Sequence, residues 1–351
     1  MKIRITLLFL LLSGFAVCQS YTYSTLAKFS RTSKTGSVIP LDLSMDSAGN
    51  FYGLAAPGKT TGYGLVWKVT PTGTLSVLYK FSTDAGFYDQ TLAISGSYLY
   101  GMTSNLGIWK LNIKTKNLTV LSTASMTNGS LTLDTGGNIY GYDGVGDLFK
   151  LTPTGLYTIL YTAVNGIDRP IIDKSGNCFG VGTNYGANAS TYIWELTTAG
   201  HFTELETFAF GSVTSRLSQD NLGSKYGTLP YTGGIYDLGA IFKIDSAGAY
   251  TVLSDFDSYE NGRDTTSSGY PMGPVVLDSA GNLYGTTAGS GIYGLPGSGT
   301  VWQFTTEGVL NALTLLPYFS NNVITMDKSG NIYGTIGSPS GSGAVYKLTK
   351  N

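Results

Sequence analysis

The stretch from Gly273 to Leu315 shows a pattern of apolar and polar positions that much of the chain repeats. Gly273 to Asp278 (GPVVLD) is a short apolar run with β-branched residues and no helical period, which predicts a strand. Ser279 to Asn282 predict a turn, because Asp278 can accept backbone N–H bonds from within it and Gly281 tolerates a positive φ. Leu283 to Thr287 then reads as a second strand. After a glycine-rich excursion over Ala288 to Ser298, Thr300 to Phe304 (TVWQF) reads as a third. The turn Thr305 to Gly308 leads into a fourth strand, Val309 to Leu315. Four short strands in succession make one blade of a propeller.

The phrase Asp278 to Gly285 (DSAGNLYG) has six further copies: Asp46 to Gly53, Ser95 to Gly101, Asp134 to Gly141, Asp173 to Gly180, Asp220 to Gly227 and Asp327 to Gly334. Their closing glycines stand 39 to 58 residues apart, the spacing of four-stranded blades. Strand three recurs as well, and its second position is aromatic each time: Trp67, Trp109, Phe149, Trp194, Phe242, Trp302 and Tyr346. That register accounts for all 4 tryptophans, so they read as inter-blade packing rather than as ligand-stacking groups. Tyr52, Tyr100, Tyr140, Phe179, Tyr226, Tyr284 and Tyr333 in strand two belong to the same scheme.

The last unit stops at Asn351, just after its third strand, while Tyr23 to Ser30 (YSTLAKFS) aligns with the fourth strand Leu75 to Ser82 (LSVLYKFS) and precedes every first strand. The N-terminal segment is therefore expected to complete the last blade, leaving no open edge. The fold expected is all-β: a seven-bladed β-propeller of four antiparallel strands per blade, forming one domain over 19–351.

The repeats Leu148 to Gly155 (LFKLTPTG), Val66 to Gly73 (VWKVTPTG) and Asp278 to Thr287 (DSAGNLYGTT) resemble the GloVer tandem-repeat family of secreted bacterial proteins. The resemblance runs the length of the chain beyond its leader and implies export and a propeller-like repeat, but no catalytic residues. More distantly, the Asp-x-x-Gly-Asn phrase is similar to NHL repeats and to the propellers of sugar lactonases and streptogramin lyase. Lyase chemistry of that last type uses a histidine base. This chain holds only His201, which falls after Gly200 at the start of a fourth strand, on the outer rim.

Composition narrows the partners. Only 12% of residues are charged and the net charge is -1, so no field draws in nucleic acid or an anionic membrane. Met1 to Arg4 give a basic start, Ile5 to Val17 an apolar run too short to span a bilayer, and Ala16-Val17-Cys18 a cleavage signal before Gln19. Residues 1–18 thus read as a secretory signal peptide, which implies a secreted or cell-envelope protein, extracellular or periplasmic, without a membrane span. The alternative is lipid attachment at Cys18, against which Val17 is bulkier than the small residue such a site takes. With Cys18 removed, Cys178 is the one remaining thiol and no internal disulfide can form. It occupies the place of Leu283 and Ile332 in sister repeats and reads as a small buried apolar residue.

Because strands alternate in direction, the connections from strand two to three and from strand four to the next blade share one face. The short Asp-x-x-Gly-Asn and Thr-Pro-x-Gly turns share the other. The loop face carries Tyr63, Phe87, Tyr88, Asp89, Asp143, Tyr185, Tyr231, Tyr236, Asp237, Asp257, Tyr259, Glu260, Arg263, Asp264, Tyr270 and Tyr293. Tyrosine combines apolar area with a polar tip, so this set suits recognition of a glycan, a peptide or a partner protein by a monomer. The competing reading is that 25 tyrosines are spread throughout the chain and propeller loops are polar in any case. The longest loop, Phe256 to Met272, is the first candidate for contact.

No catalytic residue is assigned. An extracellular lyase or hydrolase using carboxylates at the channel mouth is the alternative function, with Asp257 and Glu260 as a candidate pair. The repeated aspartates Asp46, Asp134, Asp173, Asp220, Asp278 and Asp327 could attract Ca²⁺, but they are spread around a ring and each has a local turn to cap. No His-rich or Cys-rich set suits zinc, no glycine motif sits between a strand and a helix, and no cofactor is expected. Asn117, Asn128 and Asn188 begin glycosylation sequons.

Overall fold

A computed structural model describes residues 20–29, 40, 42–55, 64–81, 92–123, 130–143, 146–162, 169–184, 189–209, 216–230, 238–256, 269–287, 299–317, 319–337 and 343–351. These residues form twenty-eight strands and no helix, gathered into seven four-stranded antiparallel sheets. Blades 1 to 6 span 44–80, 93–122, 131–161, 171–209, 218–255 and 271–315. In each the chain runs from the inner strand to the outer one in order.

Blade 7 is assembled from both ends of the chain. Phe319–Met326, Ile332–Gly337 and Gly343–Lys350 supply three strands, and Tyr21–Phe29 supplies the fourth, pairing Tyr21 with Lys350 and Phe29 with Gly343. Beyond the ladder the Asn351 N–H donates to the Ser20 carbonyl at 3.0 Å. The ring is thus closed by hydrogen bonds.

Each blade buries its faces against its neighbours, and the apolar core is divided into seven clusters, one at each junction. Leu238, Ile241 and Phe256 of blade 5 meet Val275, Leu283 and Trp302 of blade 6. The cluster at the seam joins Ala27, Phe29, Tyr333 and Val345 of blade 7 to Leu43, Phe51 and Trp67 of blade 1. The seven strand-three aromatics are each 0% exposed.

Those aromatics explain the glycine that closes every repeat phrase. Gly53 pairs with Trp67, Gly101 with Trp109, Gly141 with Phe149, Gly180 with Trp194, Gly227 with Phe242, Gly285 with Trp302 and Gly334 with Tyr346. The ring lies over the glycine so closely that no side chain would fit; a Cβ on Gly53 would stand 2.2 Å from Trp67 Cζ2.

The turn aspartates cap their turns with one oxygen and hold the blade with the other. Asp46 Oδ1 accepts the N–H of Ala48 and Asn50, at 2.9 and 2.8 Å, while Oδ2 accepts from Asn50 Nδ2 and the Tyr52 hydroxyl, both at 2.9 Å. Asp134, Asp278 and Asp327 repeat the arrangement in full. Burial alone would raise these carboxyls. The hydrogen bonds from the asparagine, the backbone and the tyrosine outweigh it and hold Asp46, Asp134, Asp278 and Asp327 below 3.8.

Strand boundaries match the pattern to within two residues: the N-terminal strand runs Tyr21–Phe29 rather than Tyr23 to Ser30, and the outer strand of blade 6 begins at Leu310 rather than Val309. The inner strand of blade 6 begins at Pro271 rather than Gly273, because a bulge between Met272 and Val276 lets the ladder resume at Met272 opposite Thr286. Cys178 is buried at 3% exposure, and burial pushes its thiol up to about 12. His201 lies exposed in the turn before the outer strand Phe202–Ala209, on the rim as expected.

Candidate functional site

The inner strands all begin at the end of the ring from which the long connections emerge. Most of the loop residues expected to bind ligand fall outside the described residues: Tyr63, Phe87, Tyr88, Asp89, Tyr185, Tyr231, Tyr236, Asp237, Asp257, Tyr259, Glu260, Arg263, Asp264 and Tyr293. Tyr270 is described. It is half-buried against the cluster between blades 5 and 6, its backbone has φ 64°, and its N–H donates to the Leu238 carbonyl at 2.6 Å. Asp143, 8% exposed, follows the second strand of blade 3, Ile139–Tyr142, and accepts the Asp147 N–H at 3.1 Å. Of the long loop from Phe256 to Met272, Phe256 is core, edge-on to Trp302 at 5.6 Å, and Pro271 onward is strand.

The same end of the ring holds a polar set that the repeat pattern conceals. Ser44, Thr132, Ile171 and Ser218 each stand opposite the strand-two aromatic of their blade. Two residues earlier in each chain segment stand Asp42, Ser130, Arg169 and Arg216, on blades 1, 3, 4 and 5. They therefore share one level at the loop-side mouth of the channel. Pro274 and Val323 hold that level in blades 6 and 7. Leaving aside the turn aspartates, Asp42, Arg169 and Arg216 are the charged residues that the described inner-strand segments carry.

Three of these side chains converge on the backbone of one residue of blade 2, Leu92. The Leu92 N–H donates to Asp42 Oδ2 at 2.7 Å, and the Leu92 carbonyl accepts from Ser44 Oγ at 2.8 Å and from Arg169 Nη1 at 3.3 Å. Arg169 belongs to blade 4, so its guanidinium passes blade 3 to reach blade 2 across the channel mouth. Asp42 is 1% exposed and its Oδ1 is buried with no hydrogen-bond partner among the described residues. Ser130, at 5% exposure, likewise has an unpartnered Oγ. A buried carboxylate oxygen without a donor is costly, so a ligand or water offering one is favoured there.

Chemically, the inner strands bring two arginines, whose guanidinium groups bind carboxylate, sulfate or phosphate, to the same level as one carboxylate, and the contact at Leu92 fixes the Arg169 guanidinium there. The expected pair of carboxylates, Asp257 and Glu260, lies outside the described residues; among those described, Asp42 stands at this level with arginines. The signal that would have revealed the set is an exception to a repeat, a charged residue at a position that other blades fill with proline, valine or serine.

No protein-family model matches the sequence, and no curated protein is similar to it at the sequence level. Solved structures match it over nearly its whole length. Oligogalacturonate lyase from Vibrio parahaemolyticus aligns over 94% of this chain and 96% of its own, with TM-score 0.59 and 10% identity. U3-55K aligns over 93% and 98%, with TM-score 0.60 and 13% identity. A gluconolactonase from Xanthomonas campestris aligns over 94% and 90%, with TM-score 0.50 and 13% identity. At such identities the likeness is one of fold, a whole seven-bladed ring matched to whole rings.

Proposed function

We propose that this chain is a secreted or envelope-located binding propeller that captures an acidic glycan, peptide or partner protein on its long-loop face, with the channel-mouth arginines anchoring the ligand's anionic group. The observation that carries this reading is the placement of Arg169 and Arg216 at the same inner-strand level as Asp42, with Arg169 reaching Leu92 of blade 2. Guanidinium groups held at a rigid rim are preorganised for bidentate contact with an anion, and such charge-assisted bonds are about twice as strong as neutral ones. The tyrosine-rich loops around the rim, Tyr63, Tyr88, Tyr185, Tyr236, Tyr259, Tyr270 and Tyr293 among them, would supply contact area.

The test is an array of acidic and neutral glycans and peptides probed with residues 19–351, alongside Arg169→Met and Arg216→Met. Binding confined to acidic probes, weakened about tenfold or more by either change and declining with salt, is the expected result. Capture of neutral probes alone, indifferent to both changes, would overturn it.

A second reading, an extracellular lyase or hydrolase, is favoured by Asp42 Oδ1. A carboxylate oxygen without a donor, in a group that meets Arg169 at Leu92, is suited to taking a proton from a substrate whose own carboxylate that arginine neutralises. Turnover of an acidic polysaccharide that Asp42→Asn abolishes would place this reading first.

A further inference from the structure

The turn face, opposite the loops, holds a cavity of about 500 Å³ between blades 4 and 5. It lies where blade 4 departs from its sisters. In five blades the strand-two tyrosine donates its hydroxyl to Oδ2 of the turn aspartate, at 2.9 to 3.3 Å. Blade 4 has Phe179 there, so Asp173 Oδ2 accepts from Asn177 Nδ2 at 3.1 Å and receives no aromatic hydroxyl. Five blades also hold a strand-three lysine over an aromatic ring of strand two, with Nζ 5.3 to 5.8 Å from the centroid. Blade 4 carries Glu195 in that place.

The missing cation comes from the next blade. Lys225 stands where Phe51, Leu99, Ile139, Cys178, Leu283 and Ile332 stand in the others, and its Nζ lies 3.6 Å from the centroid of the Phe179 ring. Lys225 is 6% exposed, and among the described residues its ammonium makes neither a hydrogen bond nor a close ion pair. Burial lowers its pKa, against the opposing charges of Glu195, Asp173, Asp220 and Asp245. The Lys225 ammonium, the carboxylate of Glu195 and an aspartate oxygen lacking its usual hydroxyl thus line one cavity.

We propose that this inter-blade cavity binds a neutral saccharide unit, one hydroxyl of which takes the place at Asp173 that tyrosine holds in the sister blades. The chemistry selects that class. Asp173, Glu195 and Asp220 outnumber Lys174 and Lys225 on the lining, which disfavours an anion, while the Lys225 ammonium, held over the Phe179 ring, disfavours a cation. A neutral ligand with adjacent hydroxyls donates to the two carboxylates and accepts from Lys225. The volume suits one or two sugar rings, small-molecule sites spanning about 300–1,000 Å³. Lys174, whose Nζ donates to the Asn221 carbonyl at 3.3 Å, ties the two turns across the rim. The site faces away from the channel-mouth arginines and is independent of the function proposed for them.

Calorimetric titration of residues 19–351 with glucose, galactose, mannose and cellobiose, and with glucuronate and glucosamine as charged controls, tests the proposal. Two variants keep the fold because they restore the sister-blade residue: Lys225→Leu and Phe179→Tyr. At least one neutral sugar should bind, each variant should weaken it at least about tenfold without lowering Tm, and Arg216→Met should leave it unchanged. Absence of binding by all four neutral sugars, binding of the charged controls alone, or binding indifferent to both variants would overturn it.

Discussion

Gly285 stands directly across the ladder from Trp302, and a methyl group placed on it would lie 2.2 Å from the indole Cζ2 and 2.6 Å from Cε2. The indole is 0% exposed and is held edge-on by Phe256 at 5.6 Å, so it has nowhere to retreat. Gly285→Ala should therefore cost about 1–3 kcal/mol or more through overpacking, read from urea unfolding. Gly200→Ala, with no atom within 4 Å of its Cβ, lacks this clash and tests backbone strain at φ 83° alone.

Closure of the ring rests on the first described strand. Phe29 is 1% exposed and packs edge-on against Trp67 of blade 1, their centroids 5.2 Å apart. Phe29→Ala is expected to cost about 3–5 kcal/mol. Removing residues 21–29 should cost more and broaden the transition, since it strips the outer strand from blade 7 and exposes the edge of Gly343–Lys350. A truncated ring melting at the temperature of the intact one would refute closure by this strand.

Acid should loosen all of these turns together. Asp46, Asp134, Asp220, Asp278 and Asp327 are held below the 3.8 of the unfolded chain, so their stabilisation is present above that value and is lost as pH falls through the lower folded values. Tm should stay level from neutral pH to about 5 and fall below about 4. Asp278→Asn and Asp327→Asn should be less stable at neutral pH and less sensitive to acid.

Cys178 offers a direct reporter of unfolding. Its thiol is buried and pushed up to about 12 by that burial, with the Asp173 charge adding to the effect. An aromatic disulfide reagent at pH 8 should leave the native protein unlabelled and label it at the rate of unfolding in denaturant. Rapid labelling without denaturant would contradict the packing at this position.

The fold was legible because its signals are repeated. Copies such as Leu283–Thr287 and Thr300–Phe304 carry turn chemistry, β-branched runs and a fixed aromatic in one register, and those two strands lie where the pattern puts them. The site was not legible for the opposite reason. Asp42, Arg169 and Arg216 stand singly on different blades, and nothing local marks them until the inner strands are superposed. Lys225 and Glu195 each depart from the residue type of their repeat position, and only the contact of Lys225 with Phe179 across the blade junction shows that one departure compensates the other. The loop tyrosines were named from composition, and the one described, Tyr270, owes its place to packing as much as to exposure.

Ser20 and Asn351 meet where the outer strand of blade 7 begins, at the turn side of the ring. Any leash leading upstream from Ser20 therefore departs from that side. A particle or cell wall gripping such a leash would hold the molecule like a cup on a stem, arginine mouth outward, with the Lys225 cavity turned back toward the support. Immobilising the protein by its amino end should accordingly leave large anionic polymers free access and hinder entry of bulky sugars at the rear.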